Sequence, residues 1–534
     1  SSSSFSYALQ WSWHNHPLHE MYGFCVGVPL LAAFISLTIA ADIDHVVLLM
    51  MENRPFDFYF GWAGNELPGI DALKGDEQNY YDVNDTSKGF EKVGRGKAYY
   101  VCKKGCGYDY SGWKDGFFGP GVWDGISRPY PNATMSGFLQ ANGGNKETMW
   151  QMSPEQIPVK MALAKEFALF DKWHTSFPGP STPNHLFAQT GTSGGCTTTG
   201  AAYHCESGKT FPAKTIYQNL AENNKSWAYF YNDSAWNDFI EFFDTPAGKA
   251  GVRPYDEFYA RARDGTLPHY SWVLPRQGKN STTGAGSNDD HPCHDIALGE
   301  RLLKDTYEAL RAGKGWNKTL LLVTYDDAGG YYDHVAPPVG VPAPDEEPSC
   351  PDKTDFSWIG PRVPTLLISP WVSKGRVIHR PTAKVGSSAR PFNDSEYEHT
   401  SLLAFLKQNF NLPEFLTKRD AWAASFHEEL TELEPRTDTP LHLPEAPPPS
   451  VGSQSERDGL GDSSDGGFCP VHGGMEYCNT LTRRQQRRIA HWEQLHNVQA
   501  PKDLTSSQAE EWIQAQFERH FEVEKDGLQE EALV

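Results

Sequence analysis

The chain has 534 residues, a formal net charge of −21, 39% hydrophobic residues and 22% charged residues. That size and balance fit a soluble globular body with a large core, and they exclude a disordered or fibrous chain. So acidic a surface repels polyphosphate backbones, which argues against nucleic acid as a partner and against tight adsorption to anionic membranes, and leaves zwitterionic lipid or a small phosphoester.

In chain order, residues 1–20 precede Met21 and read as an upstream segment outside the fold. Tyr22 to Ala41 is apolar and ends in small residues before Asp42. This is the pattern of a signal peptide cleaved near Ala40 or Ala41, although the usual basic n-region is missing. The stretch is also nearly long enough for an uncleaved membrane anchor. Asp44 to Met51 (DHVVLLMM) is an apolar run bounded by charges and predicts a buried parallel strand. Glu52-Asn53-Arg54 follows at once. A carboxylate and an amide at the C-terminal end of a strand offer two hard oxygen ligands, while the plainer reading is a helix cap and a surface ion pair.

Residues 64–158 are rich in Gly, Tyr and Asn and lack periodicity, which predicts a long cross-linked insertion over the sheet. Residues 159–170 read as a helix running into a short strand. In Phe177-Pro-Gly-Pro-Ser181-Thr-Pro-Asn184-His185 the prolines and glycine set a tight turn. The following LFAQTGTSGG reads as a helix start, so the Ser181 hydroxyl is expected at a helix N-terminus, where backbone N–H groups favour an anionic phosphate. His291-Pro-Cys-His294-Asp295 places two imidazoles beside a carboxylate, just before a helix predicted over 295–312 with Asp295 as its cap; His269 and His334 are further candidates. Thr319 to Tyr325 predicts a second buried parallel strand. Its end carries Asp326-Asp327-Ala-Gly-Gly, two adjacent carboxylates whose repulsion a cation would relieve, or simply an acidic turn. Val363 to Ser369 predicts a third parallel strand and 398–408 a helix. Residues 435–467 read as a Pro/Gly/Ser/Asp linker, and 480–522 as a polar helical element. Alternating strands and helices define an α/β protein with helices on both faces of a mostly parallel sheet, a three-layer α/β/α sandwich. The domain reading is an upstream segment with signal peptide or anchor over 1–41, a catalytic domain over 42–434, the linker, and a helical extension over 468–534.

Eight cysteines remain after Cys25 in the apolar leader, an even number that suits disulfides in an oxidising compartment. Local pairs 102/106, 196/205 and 469/478, with 293/350 left over, are the arrangement that spacing suggests, and connectivity stays open. Seven N-x-S/T sequons, at Asn84, Asn132, Asn224, Asn232, Asn280, Asn317 and Asn393, point the same way.

Four segments in this order, ENRPFDFYFG (52–61), PSTPNHLF (180–187), NDDHPCHD (288–295) and DDAGGYYDHV (326–335), resemble the phosphatidylcholine-type phospholipase C and acid phosphatase family of the alkaline phosphatase superfamily, over roughly 42–415. The resemblance implies an alkaline phosphatase-like fold and a secreted, metal-dependent phosphoesterase. It implies one divalent metal ion held by Glu52, Asn53, Ser181, Asp326 and Asp327. Ser181 would be the nucleophile, Asn184 and His334 substrate contacts, and His291, with His294, the acid. The implied substrate is a phospholipid, cleaved to diacylglycerol and a phosphorylated head group through a phosphoseryl intermediate, with transient contact to a membrane surface. A secreted phosphatase acting on phosphomonoesters would use the same residues, and a non-catalytic lipid- or glycan-binding protein would have lost some of them. A sulfatase is disfavoured because no C-x-P-x-R segment is present. The chain departs from the family at Ala328, at His185 where an Arg is usual, and at 105–115, where a His is missing and Tyr110 is its candidate replacement. Metal identity and oligomeric state stay open.

Overall fold

The computed structural model describes residues 41–450, apart from 105, 108, 200–209, 233–238 and 278–285, together with scattered positions between 489 and 519. The leader, Cys205, Asn280, Cys469, Cys478 and most of the expected linker and helical extension lie outside the described residues. No described helix is long and apolar enough to cross a membrane.

The centre is an eight-stranded sheet. Its strands are β1 (His45–Met51), β2 (Ala168–Phe170), β3 (Trp227–Tyr231), β4 (Val252–Pro254), β5 (Tyr270–Val273), β6 (Thr319–Tyr325), β7 (Thr365–Ile368) and β8 (Arg376–Ile378). They lie in the order β8-β2-β7-β6-β1-β5-β3-β4. All run parallel except β7, which is antiparallel to both β6 and β2. The expectation of a mostly parallel α/β/α sandwich is therefore met. The apolar runs of β1 and β6 follow from their central place: apart from His45 at the edge, every residue in them is buried, so both faces must be apolar.

The helices that matter for the site are α1 (Phe56–Phe60), α2 (Tyr110–Phe118), α3 (Pro158–Glu166), α4 (Ser181–Thr190), α5 (Tyr255–Asp264), α6 (Ile296–Ala312) and α7 (Thr400–Asn409). Helix α6 packs against α3 and α5, while α4 packs against α7. Asp295 caps α6 as its sequence predicts, accepting from the Ala297 N–H at 3.1 Å. The helix-then-strand reading of 159–170 is α3 followed by β2.

Three expectations are corrected. The third predicted strand is antiparallel. Burial on both faces hides strand direction in the sequence, and the long loop 326–364 stays at the C-terminal end of β6, so β7 re-enters the sheet from that end. Second, Cys102 is bonded to Cys293, so neither the 102/106 nor the 293/350 pairing forms. Cys106 is a buried thiol, Cys196 keeps its thiol against the Thr198 carbonyl at 3.2 Å, and Cys350 is in a disulfide. Third, residues 435–450 are docked along α6. Arg311 Nη2 donates to the Thr439 carbonyl at 3.0 Å, Tyr307 to that of Pro440 at 2.7 Å, and Lys304 to that of Leu443 at 2.7 Å. A proline-rich strand without internal hydrogen bonds needs such outside donors for its carbonyls.

Candidate active site

The register of the sheet builds the site. Met51 pairs with Tyr325, so β1 and β6 end at one level and deliver Glu52-Asn53 and Asp326-Asp327 side by side. Asn53 turns the chain with φ 54°, a left-handed conformation that asparagine tolerates, and its N–H donates to Asp326 Oδ1 at 3.0 Å. Gly329 must be glycine here, because a Cβ on it would lie 2.3 Å from the Asn53 carbonyl oxygen. On the far side of β1, the loop after β5 returns at Asp289, whose carbonyl accepts from the Glu52 N–H at 2.8 Å.

The Ser181 turn closes the site from the opposite layer. Helix α4 begins at Ser181 itself, earlier than the sequence suggested, and no side chain caps it. Its first turn points backbone N–H groups, apart from the one Pro183 lacks, along the helix axis, and such a terminus favours an anion. Ser181 Oγ donates to Asp327 Oδ2 at 2.9 Å. One head of the Asn53 amide lies 3.3 Å from Ser181 Oγ, 2.9 Å from Glu52 Oε2 and 3.1 Å from Asp326 Oδ1; the other head lies 3.3 Å from His291 Nε2. With nitrogen turned to the carboxylates the amide bonds both. With oxygen turned to them it completes a ring of oxygens that a cation reconciles.

His185 is the residue that sequence reasoning missed. Its Nε2 lies 3.3 Å from Glu52 Oε1 and 3.6 Å from Asp326 Oδ2. Ser181 and His185 are four residues apart on one helix, which puts them on one face, and that spacing was the available signal. Gln277, which donates to Glu52 Oε1 at 2.8 Å, sits in a loop and carried no signal.

The electrostatics favour a cation. Glu52, Asp326 and Asp327 share one buried volume. Burial, then the Glu52 charge, pushes the Asp326 carboxyl up to about 7. Burial, then Asp326, raises Asp327. The imidazoles of His185, beside Glu52 and Asp326, and of His291, near Asp327, offset part of that charge. Glu52, His185 and Asp326 offer ligand atoms within 4.8 Å of one another. Carboxylates, an amide oxygen, an imidazole and a hydroxyl are a donor set for a hard or borderline divalent ion. His399 supports the cluster from behind: burial lowers it to about 4, and its Nε2 meets the Asp326 carbonyl at 2.7 Å.

The remaining candidates divide. His291 is buried beside Asn53, and its N–H donates to Asp289 Oδ1 at 3.1 Å. His294 Nδ1 lies 2.6 Å from the same oxygen. The Asn184 side chain is taken up by the turn before Ser181: Oδ1 accepts from the Phe177 N–H at 2.9 Å, and Nδ2 donates to the carbonyls of Phe177, Gly179 and Pro180. It thus positions the turn. His334 is engaged by carboxylates of other segments. Its ring nitrogens bind Asp57 Oδ2 at 2.7 Å and Asp71 Oδ1 at 3.3 Å, in a buried network with Asp333 and Arg362. The Arg362 guanidinium, 2.8 Å from Asp57 and 2.9 Å from Asp333, supplies that group's positive charge, so the network needs no ion. The Tyr110 ring stacks on Phe177 at 5.4 Å, with its hydroxyl among Gly125, Thr354 and Trp358, so it does not replace the missing histidine beside Ser181.

A serine hydroxyl at a helix N-terminus, set against an acidic donor cluster at the C-terminal edge of a mostly parallel sheet, is an arrangement that suits a phosphate ester. Residues 43–413 match the model of the Phosphoesterase family, and the chain belongs to that family. It is a hydrolase acting on phosphate esters. The chain is 37% identical over 419 residues to non-specific phospholipase C6 of Arabidopsis thaliana, covering 76% of each. It is 26% identical over 428 residues to a non-hemolytic phospholipase C of Burkholderia pseudomallei, covering 69% of this chain and 55% of that protein. Among solved structures, a protein of the alkaline phosphatase superfamily from Vibrio parahaemolyticus overlaps 51% of this chain and 64% of its own, with 14% identity and a TM-score of 0.29. The fold itself is read from this chain's own sheet.

Proposed function

We propose that the protein is a secreted, metal-dependent phospholipase C that attacks the phosphorus of glycerophospholipids with Ser181. The observation that carries this reading is the Ser181 hydroxyl, 2.9 Å from Asp327 and beside the Glu52–His185–Asp326 donor cluster. The phospholipid substrate is supported by the plant and bacterial relatives named phospholipase C. Secretion is supported by the disulfides, the apolar leader, and the exposed asparagines of the sequons at 84, 132, 224, 317 and 393.

Glu52, Asn53, His185, Asp326 and Asp327 would hold the ion, with Ser181 Oγ as a further ligand. A divalent cation bound there lowers the pKa of a coordinated hydroxyl and offsets charge on phosphate oxygens. Ser181 Oγ forms the bond to phosphorus, and its proton has an acceptor in Asp327 Oδ2. The N–H groups at the start of α4 face the charge that develops on the phosphoryl oxygens. His291, held by Asp289, gives its proton to the leaving glycerol oxygen as that P–O bond breaks. Water then releases the head group from the phosphoseryl intermediate, and Ser181 recovers its proton.

The test is product analysis on phosphatidylcholine vesicles beside p-nitrophenyl phosphate, with and without a chelator. Diacylglycerol and phosphocholine, abolished by chelation and restored by a divalent ion, are expected. Phosphomonoester turnover without lipid cleavage would replace the lipid reading with the phosphatase one. Lipid turnover indifferent to exhaustive chelation would remove the metal.

A further inference from the structure

The disulfide falls inside the loop that carries the proposed acid. Cys293 stands two residues after His291 and immediately before His294, and it is bonded to Cys102, 191 residues earlier. A second link runs alongside: the Ile296 N–H donates to the Tyr100 carbonyl at 3.1 Å. The Cys102 side is itself anchored. Lys103 N–H bonds both Glu147 oxygens at 3.2 and 3.1 Å, and the Tyr100 hydroxyl donates to the Gln156 carbonyl at 2.8 Å. The sheet side is anchored through Asp290, which meets Lys160 Nζ at 3.0 Å and the hydroxyls of Tyr59 and Tyr325 at 2.9 and 2.6 Å. Between Asp290 and α6, residues 291–295 cross from one anchored element to another. The disulfide is the covalent link within that crossing, beside hydrogen-bond contacts of Asp289 Oδ1 with His294 Nδ1 at 2.6 Å and the His291 N–H at 3.1 Å, of the Asn53 amide with His291 Nε2 at 3.3 Å, and of Asp295 Oδ2 with the Ser450 N–H at 2.7 Å. Cys293 is half-buried, so a small thiol reaches it.

We propose that the Cys102–Cys293 disulfide is a positioning clamp for the leaving-group acid, and that its reduction selectively disables proton delivery from His291. The inference rests on the reading of His291 given above. General-acid catalysis depends on sub-ångström placement of the donor over the leaving oxygen, and the clamp fixes that donor to the insertion as well as to the sheet. The redox step is a two-electron exchange with a dithiol. The protein S–S bond breaks, Cys102 and Cys293 each gain an electron and a proton, and the dithiol closes to its own disulfide.

The experiment compares two substrates with one phosphocholine group. Phosphatidylcholine in detergent micelles loses an alkoxide that needs a proton; p-nitrophenyl phosphorylcholine loses a phenolate that does not. The double variant Cys102→Ser/Cys293→Ser is expected to lose about 30-fold or more in kcat on the first and less than about threefold on the second, with KM little changed, because general acids contribute about 10²–10⁴-fold. Should the variant not fold, wild-type protein reduced by a dithiol and alkylated, with peptide masses reporting Cys102 and Cys293, gives the same readout. Equal losses on both substrates, or none, overturn the clamp. His291→Gln in the same assay separates the two readings: a split there without a split in the cysteine variant overturns the clamp alone, and no split there overturns the acid assignment together with the clamp.

Discussion

Replacing His334 by Gln tests the buried ion network that ties the loop after β1 to the loop after β6. Burial alone would lower the His334 pKa, but the Asp57 charge and hydrogen bond, the Asp71 bond and the Asp333 charge outweigh it and raise it to about 10. The raised value means that the folded state holds the proton more tightly than the unfolded one. The resulting stability is therefore full below the ordinary histidine value near 6.5 and is lost as pH rises through about 10. At about 1.4 kcal/mol per pKa unit, the proton-linked part is on the order of 4 kcal/mol at pH 6, ~3 at pH 8 and below ~0.5 at pH 10. Urea unfolding of wild type and His334→Gln at those three pH values measures it. The stability gap between the proteins should shrink steadily with rising pH. A gap that is constant or widens with pH would refute the assignment of a charged His334 to this network.

Two further outcomes follow from the packing. Lys160→Met leaves Asp290 and Glu300 buried without the ammonium 3.0 and 3.1 Å away, and should cost about 3–5 kcal/mol in chemical denaturation. Asn184→Leu deletes four hydrogen bonds to the turn at 177–180; kcat should fall more steeply than metal content, because the turn sets Ser181 while Glu52, Asp326 and Asp327 sit on the sheet, and elemental analysis beside steady-state kinetics checks both.

Strands β1 and β6 were legible because they are buried on both faces and so read as unbroken apolar runs, bounded on the chain by charge, whereas β3, β4, β5 and β8 are short and were not read from the sequence. The site was legible where its residues follow those strands directly, at Glu52, Asn53, Asp326 and Asp327, since parallel strands in register must bring their ends together. Strand direction at β7 was not legible, because burial alone sets its composition. His185 entered the cluster through helical phase, which only a correct start for α4 reveals. The surroundings of His334 were not legible in the sequence. Its true partners, Asp57, Asp71 and Arg362, come from distant segments and leave no local trace. The Cys102–Cys293 bond spans the two halves of the chain, so proximity in sequence pointed to the wrong partners.

The stereochemical course at phosphorus tests the central claim most directly. A phosphodiester made chiral with sulfur and oxygen isotopes, hydrolysed in labelled water, reports how many displacements occur. Attack by Ser181 followed by water gives two inversions and net retention of configuration. Net inversion would show that water attacks phosphorus directly, and the assignment of Ser181 as nucleophile would fall.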